Sequence, residues 1–216
     1  MGDFFKDNIK NHMGKTNLEI VGSLQFDSLS SKSDNNLAEI KKNIVFDEDK
    51  PTVLLAPSTK QEEKFDGQFI NNVIKKFHPN KDYNFVINPH YYDRVFFPKR
   101  FARYSDLILP PSLLYKILPY CTVVISPPST IGLETSLSKI PLLMPHYYHS
   151  LNIEFPYYRD GFCVGKQVHL DQILNTVDKV ARSEIKFNFS EFNKYMCFSS
   201  DKLSYRRIYS SIIGVL

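Results

Sequence analysis

Cysteine is scarce in this chain of 216 residues. Cys121, Cys163 and Cys197 are odd in number and far apart, which excludes a disulfide framework and leaves no pair spaced for a structural zinc or a redox centre. They read as buried thiols in a reducing compartment. Long apolar runs are missing as well. No window reaches the about 18 continuous apolar residues of a membrane-spanning helix. The amino terminus sets Phe4 and Phe5 among charges without an apolar core, which is not the pattern of a signal peptide. The expectation is a cytoplasmic protein, with peripheral contact at the inner face of a membrane compatible with it.

An excess of one charge is also lacking. Twenty-seven Lys and Arg stand against 23 Asp and Glu, a formal net charge of +4. That suits phosphate-bearing ligands or a loose attraction to anionic membrane surfaces, and it does not point to nucleic acid. Nothing interleaves aromatic and basic residues in the manner of RNA-recognition motifs. There is no internal repeat, no Gly-x-Ser-x-Gly and no Walker loop, so hydrolase and ATPase chemistry find no support.

What is present is a core-forming composition: 43% hydrophobic, 14% aromatic and 23% charged residues, enough to fill a globular interior at this length. Residues 28–36 are polar (SLSSKSDNN) and read as a loop. Beyond them short β-type runs alternate with helical spacing. Strands are expected at 52–56, 83–87, 106–109, 122–125 and 141–144, with a short one near 162–164. Helices are expected at 65–78, at 112–120 with Ser112 as cap, at 129–139 and 169–182, and in a tail at 191–198 and 205–216. The β-branched run 122–125 is the strongest buried-strand signal. Such alternation predicts right-handed β-α-β units and an α/β fold with a parallel sheet flanked by helices. Ligands on such sheets bind outside the carboxyl ends of the strands, so the residues just after each strand matter most.

The most informative stretch is 123–145, VVISPPSTIGLETSLSKIPLLMP. A buried strand enters a Pro-Pro turn, Ser129 and Thr130 open a helix, and Gly132 lies in its first turn. A helix start offers backbone N–H groups to a phosphate, the two hydroxyls could add hydrogen bonds, and Gly132 would let a ligand approach the backbone. Glu134 could accept from ribose hydroxyls. An ordinary capped helix, with Glu134 complementing its dipole, accounts for the same residues.

This stretch resembles the phosphate-and-ribose segment of GT-B-type glycosyltransferases and their relatives, where a Ser/Thr/Gly-rich turn leads to a helix bearing a glutamate and then to a K-x-P-hydrophobic strand. Here that strand reads Lys139-Ile140-Pro141-Leu142-Leu143. UDP-N-acetylglucosamine 2-epimerases and CDP-glycerol glycerophosphotransferases share variants of it. Residues 20–27 resemble the linker into the carboxyl-terminal domain of these enzymes, and Val86-Ile87-Asn88-Pro89-His90 resembles their loop whose histidine faces the donor phosphates. Tyr91 and Leu24 stand where that family has prolines.

The resemblance spans about residues 19–182 and implies a Rossmann-like nucleotide-binding half-domain. Residues 1–18 would be an amino-terminal segment or a remnant of a missing acceptor domain, and 183–216 would be carboxyl-terminal helices. It implies a donor that is a nucleotide-activated sugar or CDP-glycerol, no cofactor and no metal. It also implies an acceptor-domain partner chain or a homo-oligomer where this chain is a truncated or split enzyme. His90 would act at the leaving diphosphate. A nucleotide-sugar 2-epimerase is the rival enzyme, though full epimerases carry a Gly-Gly pair where this chain has Thr130-Ile131-Gly132. A non-catalytic fragment that binds nucleotide or a partner subunit is the rival outside enzymes.

Weaker signals surround these. Ser58 and Lys60 follow the first strand, where a lysine could offset diphosphate charge; a solvated loop lysine is the plainer account. Tyr91-Tyr92-Asp93-Arg94 could grip an anionic group, or form an exposed loop. His146 and His149 sit three apart but lack a third zinc ligand, so His146 reads as part of a loop over the nucleotide base. Tyr205-Arg206-Arg207 with Ile208, Ile212 and Ile213 could lie on a membrane, with a core-facing helix bearing two solvated arginines as the alternative.

Overall fold

A computed structural model of the chain describes residues 23–27, 29, 31–57, 63–96, 99, 101–127, 129–145, 164–197 and 203–213. Within them run α1 (Leu24–Asp27), α2 (Asp34–Asn43), β1 (Thr52–Leu55), α3 (Glu63–Phe77), β2 (Asn84–Ile87), α4 (Tyr91–Phe96), α5 (Leu114–Ile117), β3 (Val123–Ile125), α6 (Ile131–Leu137), β4 (Leu142–Pro145), β5 (Gly165–Val168), α7 (Ile173–Ala181), α8 (Ser190–Cys197) and α9 (Ser204–Ile213). The five strands form one sheet in the order β2-β1-β3-β4-β5, every pair parallel. The fold is α/β, a Rossmann-like half-domain.

The strands form where short apolar runs are bounded by prolines or polar turns, and β1 to β4 are buried along their whole length. Strands covered on both faces by helices carry continuous apolar runs of this kind. Side chains alternate between two cores. Leu54, Val86, Val124, Leu142 and Met144 point to one, with Ile40 of α2, Ile117 of α5, Leu133 of α6, and Phe192 and Met196 of α8. Val53, Leu55, Phe85, Ile87, Val123, Ile125 and Leu143 point to the other, with Phe69, Val73 and Phe77 of α3 and Val177 of α7.

The structure departs from expectation in several places. The polar stretch 28–36 is not simply a loop, since it runs into α2. Ser33 caps that helix, its side chain accepting from the Asn36 N–H at 3.3 Å, with Asp34 in the first turn and Lys41 and Lys42 in the last. Polar residues at a helix start serve as caps and dipole partners, and the apolar Ile40 lies beyond the stretch that set the reading.

No strand forms at 106–109. Residues Ala102–Leu107 make 3-10 turns, and only a single parallel bridge joins Ile108 to Ile87. Pro110 and Pro111 follow at once, and without N–H groups they cannot extend a ladder. Ser112 is not a cap: Pro110 takes that position, with Pro111 just inside the turn, where proline's fixed φ is preorganised. The segment through Tyr120 is α5 flanked by two 3-10 turns rather than one helix. The short strand expected near 162–164 is β5 at Gly165–Val168; Phe162 and Cys163 lie outside the described residues. Residues 91–94 belong to α4, not to a loop.

Candidate functional site

The sheet order fixes where the chain leaves a crevice. From β1 the chain crosses to β2 on one side, then returns past β1 to β3 on the other. The carboxyl ends of β1 and β3 therefore flank the switch point, where open α/β sheets hold ligands. The two ends are joined, the Ala56 N–H donating to the Ile125 carbonyl at 2.9 Å, so Pro57 and Ser126 emerge side by side.

Beyond β3 the chain turns through Ser126 and Pro127 into α6. The hydroxyls of Ser126 and Ser129 stand 3.3 Å apart, and the Ser126 hydroxyl also donates to the Pro127 carbonyl. Helix α6 begins at Ile131, two residues later than expected. Thr130 stands at its cap in helical conformation without a side-chain cap bond. The Gly132 and Leu133 N–H groups are taken by tight bonds to the Ser129 and Thr130 carbonyls, each 3.0 Å. Gly132 is buried in the first turn, where no side chain crowds the turn.

Glu134, one turn in, is only 4% exposed, and the Tyr115 hydroxyl of α5 donates to its Oε1 at 3.4 Å. A buried carboxylate needs such donors to remain in a core. This environment differs from a solvated charge complementing a helix dipole. Helix α6 is held at its far end by α8: the Ser136 hydroxyl donates to Asn193 Oδ1, and Asn193 Nδ2 returns a bond to the Ser136 carbonyl at 2.9 Å.

On the other side of β1, the loop after β2 carries Asn88, Pro89 and His90. The Asn88 N–H continues the sheet by donating to the Leu55 carbonyl at 2.8 Å. His90 is exposed, and its carbonyl accepts from the Arg94 N–H at 3.1 Å as α4 begins. The carboxyl ends of β2 and β3 are separated by β1, two interstrand steps or about 10 Å. His90 and the Ser126–Glu134 segment thus share one end of the sheet.

Arg94 organises this loop. Its guanidinium donates to the Pro89 carbonyl at 3.1 Å, to Asn88 Oδ1 at 3.0 Å and to the Leu109 carbonyl at 2.7 Å. Burial draws its pKa down from the usual value, though an arginine stays charged at neutral pH. Arg94 lies within a segment the sequence reading set among exposed loops. The signal was its four-residue offset from His90, which a helical reading of 91–96 would have turned toward Asn88. Beyond β2, away from the switch point, a cavity of about 380 Å3 is lined by Pro89, Asp93, Arg94, Phe101, Ile108 and Pro110 among others; Asp93 is wholly buried there.

Ser58, Lys60 and His146 lie outside the described residues, as does His149. Among the described residues, no group of three His, Cys, Asp or Glu is placed to hold a metal ion, and no helix is long and apolar enough to cross a membrane. Cys121 is buried, as expected of a core thiol, and burial raises its pKa well above the ordinary thiol range.

No family model matches the chain, and no curated protein sequence matches it. Solved structures do. A structure of the wall teichoic acid polymerase TagF, soaked with CDPG, matches at 17% identity and a TM-score of 0.62, covering 98% of this chain and 55% of that one. The UDP-GlcNAc 2-epimerase of Methanocaldococcus jannaschii, in complex with UDP-GlcNAc and UDP, matches at 13% identity and a TM-score of 0.61, covering 97% of this chain and 59% of that one. The chain thus spans a little over half the length of these structures. At such identities the likeness is one of fold, and it agrees with the GT-B-type architecture that the motifs resemble.

Proposed function

We propose that this chain is the donor-nucleotide-binding part of a transferase that moves a glycosyl or glycerophosphoryl group in the synthesis of surface polysaccharide. The observation that carries the reading is Glu134: a buried carboxylate one turn into the helix that follows the strand at the switch point, with the Ser126 and Ser129 hydroxyls on the turn before it. In this reading Glu134 holds the ribose hydroxyls, and the turn from Ser126 to Thr130, with Gly132 beneath, faces the phosphates. Ser58 and Lys60, next after β1 in the sequence, and His146, next after β4, are assigned to the same donor site on the family resemblance alone. Residues 19–182 are assigned to the nucleotide-binding domain and 183–216 to carboxyl-terminal helices.

Catalysis is electrostatic. As the bond from the transferred group to the nucleotide breaks, negative charge grows on the leaving phosphate oxygen, that of a nucleoside diphosphate for a glycosyl group or of CMP for a glycerophosphoryl group. Hydroxyl donors on the turn and His90, on the loop that Arg94 holds, stabilise that charge without having to reorganise. The acceptor and the base that activates it belong to a further domain, on this chain or on a partner.

Calorimetric titration of the purified protein with UDP, CDP and GDP tests the assignment. One nucleotide binds in the micromolar range. Glu134→Gln, which keeps the side-chain volume, and His90→Ala each weaken it by about tenfold, roughly 1.4 kcal/mol. If no nucleotide binds to the folded protein, the donor assignment fails for this chain. The likeness to a UDP-GlcNAc 2-epimerase at a similar TM-score favours a second reading, an epimerase of nucleotide sugars. Conversion of UDP-N-acetylglucosamine to its C2 epimer by the protein would select it.

A further inference from the structure

Helix α9 turns its apolar residues the wrong way for a helix that only caps a core. Tyr205, Tyr209, Ile212 and Ile213 follow the i, i+4, i+7, i+8 spacing of one helical stripe, and they are 51%, 67%, 57% and 50% exposed. The face that meets the protein is Ser204, with half-buried Arg207, Ile208 and Ser211. Asp27 fastens the amino end of the helix, accepting from the Ser204 hydroxyl at 2.9 Å and from the Tyr205 N–H at 3.3 Å. The stripe is therefore presented outward by a docked helix. The sequence alternative of a core-facing helix holds for Ile208 and fails for Ile212 and Ile213.

We propose that α9 lies in the surface of an anionic lipid bilayer, with its stripe among the acyl chains and Arg206 at the headgroups. Charge and rim chemistry select a membrane over a protein partner. The outward side of the helix carries the exposed Arg206 and no acidic residue, a charge complementary to anionic headgroups. The stripe is bordered by an amphipathic rim. Arg206 Nε donates to the Tyr205 hydroxyl at 2.8 Å, with its guanidinium carbon 5.7 Å from the centroid of that ring. Tyrosine and arginine at the edge of an apolar face are the residues that settle at a headgroup boundary. The net charge of +4 on the whole chain acts in the same direction. This surface does not depend on the donor site, and either can fail without the other.

Co-sedimentation of the full chain with vesicles tests the proposal, using phosphatidylcholine mixed with phosphatidylglycerol against phosphatidylcholine alone. The protein sediments with the anionic vesicles and not with the neutral ones, and added salt weakens the binding. The double substitution Ile212→Ser with Ile213→Ser weakens binding by at least about tenfold, and Arg206→Glu weakens it further than added salt alone. All three positions are solvent-exposed, and an unchanged circular dichroism spectrum shows that the variants fold. Absence of binding to anionic vesicles overturns the proposal, as does equal binding by the double variant. Self-association seen by sedimentation velocity, abolished by the same substitutions and without vesicle binding, makes the stripe a protein interface instead.

Discussion

Asn84 is buried at the first position of β2, and its amide is fully used. Nδ2 donates to the carbonyls of Asp47 and Lys50 and to the Thr52 hydroxyl, while Oδ1 accepts from the Asp47 N–H. It welds the turn before β1 to the neighbouring strand, which sequence could not foretell because every partner but Thr52 Oγ1 is backbone. Tyr83, the residue before it, donates its hydroxyl to Asp178 of α7. Desolvation first, then that carboxylate, hold the phenol pKa above its ordinary value. A folded pKa raised in this way leaves the phenol protonated in both states below about pH 10. Above that the unfolded chain ionises more readily, so the contribution to stability is lost as pH rises. Tyr83→Phe is expected to lower stability by about 1 kcal/mol at pH 7. Urea midpoints taken at neutral and at strongly alkaline pH should fall more steeply for the parent protein than for the variant.

The elements differ in how plainly they could be read. Strands β1 to β4 stood out because each is a short apolar run closed by proline or a polar turn, and burial on both faces leaves no competing pattern. Helices α2 and α4 were missed. In α2 the polar cap and first turn looked like linker, and α4 holds only six residues, too short for periodicity to register. Helix ends were least legible. Helices α6 and α7 finish alike, on residues with positive φ: Lys139 at 58° and Ser183 at 59°. In α6 the Ile140 N–H reaches the Thr135 carbonyl at 2.8 Å and the Lys139 N–H that of Ser136 at 3.0 Å, the Schellman closure that normally employs glycine. A side chain in that region costs of order 1 kcal/mol. Lys139→Gly is accordingly expected to stabilise the protein by about 0.5–1 kcal/mol, read as a rise in thermal midpoint with nucleotide affinity unchanged.

At the scale of the molecule, the tail is part of the core. Phe192 and Met196 of α8 are fully buried with residues of the sheet and of α2 and α5, so α8 is no appendage. Phe192→Ala should cost about 3–4 kcal/mol, measured as a lower urea midpoint with an unchanged slope. The candidate site was half legible at this scale. Motif and strand order pointed to the turn from Ser126 to Glu134 and to the loop at His90, since both follow strands. The burial of Glu134, its tie to Tyr115 and the part played by Arg94 arise from contacts between distant segments, which no local pattern carries.

The paired amide contacts between Asn193 and Ser136 join the tail to the same short helix whose opening turn faces the switch point. Where a ligand favours the settled form of that helix, it must also favour the docked tail, and the docked tail must favour the ligand by an equal factor. Thermodynamic reciprocity thus makes the tail that carries Asn193 a participant in affinity at the crevice.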